Sequence, residues 1–148
     1  MKVLVTGATG FIGSYVVEEL LKKGCEVIAT STNISKAMQK TWYPLVTYIP
    51  FNFESFDKSK NYFSFFNEPD IVIHTAWEGL PNYKSPFHFE INFPRHFSLL
   101  ENMVKNGLTD LNVTGTCFEY GLQEGCLTED TPALPNNSYS LAKDALRK

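Results

Sequence analysis

A chain of 148 residues, 43% hydrophobic and 20% charged, is long enough to bury a sizeable core and has the balance of an ordinary globular protein. Its net charge of −3 offers no basic footprint for nucleic acid, and its three cysteines, with no C-x-x-C pair, suggest neither a disulfide framework nor a cysteine zinc site. No apolar run approaches the roughly 18 residues of a membrane span, and the N-terminus enters a strand rather than a signal peptide, so a cytoplasmic protein with no membrane partner is expected.

Val3, Leu4 and Val5 form a buried-strand signal that breaks into Thr6-Gly7-Ala8-Thr9-Gly10-Phe11-Ile12-Gly13 before a helical segment, Ser14 to Lys23. Each glycine has its own task. Gly7 allows the tight turn, Gly10 lets the backbone approach a pyrophosphate, and Gly13 lets helix and strand pack closely. The N–H groups at the helix start, those of Phe11, Ile12 and Gly13, and the positive dipole end would face the phosphates. Val16, Val17, Leu20 and Leu21 share one face of the helix, Gly24 caps it, and Glu26 to Thr30 reads as a second parallel strand. An acid just past that strand would bind the adenosine ribose and repel a 2′-phosphate. Here Ser31, Thr32 and Asn33 stand there, with Lys36 and Lys40 beyond, so the cofactor expectation is NAD(P) leaning to NADP(H).

The stretch from Trp42 to Phe66 is dense in aromatics, chiefly for packing. Val46 to Phe51 is predicted as a third strand, with Asn52 and Phe53 at its end where the adenine edge would lie. A short helix is predicted over Asp57 to Asn67 and a fourth buried strand over Ile71 to Ala76. Trp77 to Pro86 is a loop at the carboxyl end of that strand, where open α/β sheets bind ligands, so Trp77 either lines the nicotinamide or substrate cleft or packs. His74, His88 and His96 lack metal-site spacing and no metal is expected. Phe87 to Lys105 reads as a helix that Pro94 kinks or opens, and Leu108 to Val113 as a fifth strand. With no repeat, linker or low-complexity tract, residues 1–148 read as one domain.

Beyond the fifth strand lie Thr116, the Glu119-Tyr120-Gly121 triplet, a Pro-rich loop, and Tyr139 and Lys143 four apart on a helix face. A phenol with a reference pKa near 10 is a poor base at neutral pH, and a nearby ammonium favours its phenolate. Taken together, T-G-x-x-G-x-x-G at Thr6 to Gly13, V-I-H-x-A at Val72 to Ala76, Asn92, and Y-x-x-x-K resemble the extended short-chain dehydrogenase/reductase family along the whole chain. That family comprises NAD(P)-dependent nucleotide-sugar epimerases, dehydratases and ketoreductases.

The resemblance implies a Rossmann-type doubly wound parallel sheet in three αβα layers, with Thr75, Ala76, Trp77 and Asn92 in the cofactor set. It implies that Thr116 polarises the substrate carbonyl and Tyr139 transfers the proton. Lys143 would hold the nicotinamide ribose and lower the tyrosine pKa. The family's 4,6-dehydratases carry an Asp-Glu pair where this chain has Cys117 and Phe118, so dehydration is disfavoured. What remains is 4-keto reduction of a nucleotide sugar, or 4-epimerisation by the same residues. Family members also continue into a C-terminal substrate domain, so the chain is expected to be a cofactor-binding fragment that is inactive alone, from a homodimeric parent. The alternative of another class is a non-catalytic NAD(P)-binding sensor module, which would have no need of all three of Thr116, Tyr139 and Lys143.

Overall fold

The computed structural model describes residues 1–148. The chain forms two compact units, one of residues 1–76 and 98–114, the other of residues 77–97 and 115–148.

The first unit holds a five-stranded parallel sheet: β1 (Lys2–Thr6), β2 (Glu26–Thr30), β3 (Thr47–Tyr48), β4 (Ile71–His74) and β5 (Asp110–Val113), in the order β3-β2-β1-β4-β5. Strand side chains alternate between faces, and here both faces are covered. Leu4, Ile28 and Val72 point into one core with Phe51, Tyr62, Phe66, Leu99 and Met103, whereas Val3, Val5, Val27 and Ala29 join Val17, Ala37 and Trp42 in the other. The second core is roofed by α1 (Phe11–Lys22) and α2 (Ile34–Met38), and the first by α3 (Tyr62–Phe65) and residues 98–105 of α4 (Phe93–Lys105). The result is the doubly wound Rossmann-like arrangement. Its strand order reverses beside β1, so the carboxyl ends of β1 and β4 flank a switch point where such sheets bind ligands.

Several elements differ from the sequence reading. α1 starts at Phe11 rather than Ser14 because Gly10 itself is the extended N-cap. The stretch after β2 contains the short helix α2, started by Asn33, whose Oδ1 accepts the Lys36 N–H at 2.9 Å. β3 keeps only two residues, although Ile49 and Phe51 still donate to Ala29 and Ser31 carbonyls beyond it. The helix expected over residues 57–67 shrinks to α3, because the Asp57 carboxylate takes the Ser59 N–H and hydroxyl and turns the chain first.

In the second unit the chain passes through a π-helical turn (His88–Asn92), the start of α4, a 3₁₀ turn (Cys117–Tyr120) and α5 (Ser138–Arg147). Pro94 is the second residue of α4, directly after the π-helical turn, so its missing N–H removes a helical hydrogen bond at the point where the run changes from π to α pitch. The start of α5 is fixed by a reciprocal cap: Asn137 Oδ1 accepts the Ser140 N–H at 2.9 Å and Ser140 Oγ accepts the Asn137 N–H at 3.1 Å. Tyr139 and Lys143 are both carried on this helix and both buried. No helix is long and apolar enough to cross a membrane.

Candidate active site

In the first unit the glycine turn links β1 to α1. Gly7 has φ +67°, and the Gly10 N–H closes back on the Gly7 carbonyl at 2.9 Å. A Cβ on Gly7 would lie 2.8 Å from the backbone N and Cα of Ala76, and one on Gly13 would strike the Gly7 carbonyl and press on Thr75 Oγ1. These two glycines are required by packing alone. A Cβ on Gly10 would meet only the Gly7 oxygen, at 3.1 Å, so the fold leaves open the space above Gly10. Gly10 has no side chain to cap the helix, so the first N–H groups, from Phe11 to Gly13, have no side-chain cap at the positive end of a twelve-residue helix. That cradle fits a pyrophosphate, which needs close backbone approach and N–H donors.

The other predicted cofactor residues of this unit are placed as follows. Thr75 Oγ1 donates to the Thr6 carbonyl at 2.6 Å and the Ala76 N–H reaches Thr6 Oγ1 at 3.3 Å, which fixes the loop beneath the glycine turn. Thr6 Oγ1 also meets His74 Nδ1 at 2.8 Å. Ser31 is engaged by Tyr48, whose hydroxyl lies 2.8 Å from Ser31 Oγ. Lys36 lines a cavity of about 510 Å³ with Thr9, Gly10, Tyr15, Glu18 and Lys40, so the ammonium groups and one carboxylate share the space beside the helix start. Asn52 caps a short 3₁₀ turn through the Glu54 N–H at 2.9 Å, and the Phe53 ring is buried against His74. The side chains of Phe11 and Ile12 are exposed.

In the second unit Thr116, Trp77, Asn92, Tyr139 and Lys143 all occur. Thr116 is extended and caps the 3₁₀ turn, its hydroxyl accepting the Phe118 N–H at 3.3 Å. Tyr139 is only 8% exposed, packs against the rings of Trp77, Tyr83 and His88, and has the Thr116 hydroxyl in hydrogen-bonding reach. Burial pushes its phenol above the ordinary value, with the Thr116 hydrogen bond acting the other way. This differs from the expectation that Lys143 would draw the phenol down. Lys143 instead points its Nζ over the Trp77 ring, 4.7 Å from the centroid, and burial pulls its own pKa down to about 8. Asn92 is fully buried in the π-helical turn. Its Nδ2 donates to the Glu78 carbonyl at 2.8 Å while Oδ1 has no partner.

Two contributors escaped the sequence reading. Glu119 is a buried carboxylate: it takes the Thr116 N–H at 2.8 Å, pairs with Arg147 Nε at 3.2 Å, and pulls the Lys143 pKa upward. The T-x-x-E spacing from Thr116 is a capping-box signature that could have found it. His88, fully buried between Trp77 and Asn82, has no local signal, because the bonds that place it are made across a loop.

The comparisons agree with this geometry. Residues 3–148 match the NAD dependent epimerase/dehydratase family. The whole chain aligns at 32% identity with 53% of dTDP-6-deoxy-L-talose 4-dehydrogenase (NAD(+)) from Aggregatibacter actinomycetemcomitans, and at 31% with 46% of a UDP-glucose 4-epimerase from Lactobacillus helveticus. Among solved structures, the UDP-glucuronic acid 4-epimerase of Bacillus cereus in complex with NAD superposes with a TM-score of 0.77 at 26% identity, covering 99% of this chain and 50% of that one. A UDP-glucose 4-epimerase from Bifidobacterium longum in complex with NAD+ and UDP gives 0.80 at 25% identity, covering 99% and 47%. The chain therefore spans about half the length of the curated relatives it matches. With the glycine turn, the strand order and a match from residue 3 to residue 148, the chain belongs to the NAD dependent epimerase/dehydratase family, among the extended short-chain dehydrogenase/reductases.

Proposed function

We propose that this chain carries the cofactor-binding portion and the acid–base residues of an NAD(P)-dependent enzyme that reduces a 4-keto group on a nucleotide-linked sugar. The observation that carries the reading is Tyr139: a buried phenol, raised in pKa, with the Thr116 hydroxyl in reach and Lys143 one turn along the same helix. Hydride transfer is the chemistry of the nicotinamide. Reduction also needs a proton delivered to the carbonyl oxygen, and a phenol kept protonated near neutral pH is suited to give one. The Thr116 hydroxyl would polarise the same oxygen. Cys117 and Phe118 supply no acid pair for eliminating water, and the Phe118 ring packs edge-on against Tyr83.

A second reading, 4-epimerisation, is favoured by the epimerases among the relatives, since it uses the same residues with the keto sugar turned over between two hydride transfers. Both are tested by giving the full-length enzyme a 4-keto nucleotide sugar with NADH or NADPH, and the corresponding C4 alcohols with NAD+. Reduction predicts cofactor consumed in step with product. Interconversion of C4 epimers without net cofactor change would establish the epimerase, and tight cofactor binding without turnover of any sugar would establish a binding module.

On cofactor choice the relatives' names point to NAD. The absence of an acid at Ser31 and the cavity shared by Lys36 and Lys40 support acceptance of a 2′-phosphate, so our reading is NAD(P)(H) with NADPH bound at least as tightly as NADH. Exposed Phe97 on α4 and Leu141 on α5 support a homodimer through these helices, and three unpaired cysteines suit a reducing cytoplasm.

A further inference from the structure

Trp77 has a hydrogen-bonding edge and an electron-rich face, and both are in use. Its Nε1–H donates to His88 Nδ1 at 3.1 Å. An indole N–H only donates, so Nδ1 is an acceptor, and the imidazole proton lies on Nε2, which donates to the Asn82 carbonyl at 2.9 Å. With both nitrogens bonded and no exposure, His88 is a fixed post, and its ring lies within 18° of parallel to the indole. Lys143 is 3% exposed as a residue, and its ammonium stands over the indole at 4.7 Å, inside the roughly 6 Å at which a cation–π contact counts. Lys143 forms no ion pair.

We propose that Trp77 is a positioning residue for Lys143: its face holds the ammonium on the helix that also carries Tyr139, and its N–H, anchored on His88, sets the angle of that face. The catalytic meaning of this rests on Lys143 belonging to the acid–base set, as proposed above. The physical coupling does not.

Burial works against the charged form of Lys143, lowering its pKa to about 8. The ionisable groups packed around it act as follows. Glu119 on the 3₁₀ turn favours the ammonium, and His96 on α4, whose pKa burial pulls down to about 3, contributes no charge near pH 8. The rings of Tyr83 and His88 pack on Tyr139. An aromatic face that stabilises the cation is therefore balanced against burial, and removing it should shift the titration of Lys143 downward.

The test follows the Lys143 titration by NMR in the full-length protein with isotope-labelled lysine, its signal assigned with Lys143→Met. Wild type should show a midpoint near 8. In Trp77→Leu it should fall by about one pH unit, with Trp77→Phe intermediate because a ring is kept. His88→Phe should also lower it, by releasing the indole edge, and His88→Gln should recover most of the loss by restoring an acceptor. In turnover, Trp77→Leu should lower kcat about 10-fold and leave the sugar KM within about twofold. A midpoint that stays or rises in Trp77→Leu would overturn the proposal, since it would mean that Trp77 only shields Lys143 from water. If Trp77→Leu does not fold, the Trp77→Phe and His88→Phe comparison decides in the same way. Should Tyr139→Phe keep full turnover while these midpoints shift, the catalytic reading falls and the Trp77 coupling stands.

Discussion

Replacing Gly13 by Ala tests whether the glycine turn is dictated by packing. The added methyl would press on the Gly7 carbonyl oxygen and come within 2.9 Å of both the Gly7 carbonyl carbon and Thr75 Oγ1. None of these can give way freely. The Gly7 carbonyl accepts the Gly10 N–H at 2.9 Å, and Thr75 Oγ1 is held by its 2.6 Å bond to the Thr6 carbonyl. Overpacking of this kind costs ~1–3 kcal/mol and a lost hydrogen bond ~1 kcal/mol, against ~1 kcal/mol gained by replacing glycine inside a helix, leaving a net loss of ~1–3 kcal/mol. With a urea m-value of ~1–3 kcal/mol/M, the unfolding midpoint should drop by ~1 M. Gly24→Ala is the control. Gly24 has φ +73° but nothing within 4 Å of its would-be Cβ, so only backbone strain of ~1–2 kcal/mol applies. A Gly13→Ala midpoint at or above wild type would refute the packing account of this position.

The same turn separates folding from binding at Gly10: Gly10→Ala should change stability by less than about 1 kcal/mol yet weaken cofactor binding at least about 10-fold, because its methyl enters the space left for the pyrophosphate. Calorimetric titration and urea unfolding of the one variant decide this, and unchanged affinity would move the phosphates elsewhere. Ser31→Asp should weaken NADPH and spare NADH, read by paired fluorescence titrations; equal loss of both would remove Ser31 from the choice of cofactor. His96, depressed from 6.5 to about 3 by burial, resists a proton that the unfolded chain accepts. Its contribution to stability is therefore fully present above pH 6.5 and is lost as pH falls from there toward 3, so His96→Phe should flatten this part of the pH–stability curve. Parallel curves for the two proteins would contradict that.

What was legible in the sequence is local. Glu26 to Thr30 stands out as a strand because Val27, Ile28, Ala29 and the β-branched Thr30 lie between a Gly-Cys turn and a polar stretch, and the bounds match. The glycines announced a turn whose dimensions admit little else, and Thr116, Tyr139 and Lys143 lie in one compact unit as their motifs suggested. Where the reading slipped, longer-range contacts or side-chain turns decided the outcome. The Asp57 turn consumed half of a predicted helix, and an edge strand with one neighbour kept only Thr47 and Tyr48. The surroundings of Lys143 were the least legible. Four-residue spacing placed it near Tyr139, but the ring beneath its ammonium comes from a residue 66 positions earlier, as the numbers of Trp77 and Lys143 give, and no periodicity reports such a contact.

The most direct test of the proposed chemistry is single-turnover hydride transfer in the full-length enzyme, comparing wild type with Tyr139→Phe on a nucleotide sugar that the wild type turns over. Phenylalanine keeps the ring that packs against Trp77, Tyr83 and His88 and removes only the hydroxyl. A proton donor at Tyr139 predicts a rate lower by about 10²-fold or more, with cofactor affinity changed by less than about twofold. A Tyr139→Phe enzyme that transfers hydride at nearly the wild-type rate would contradict it.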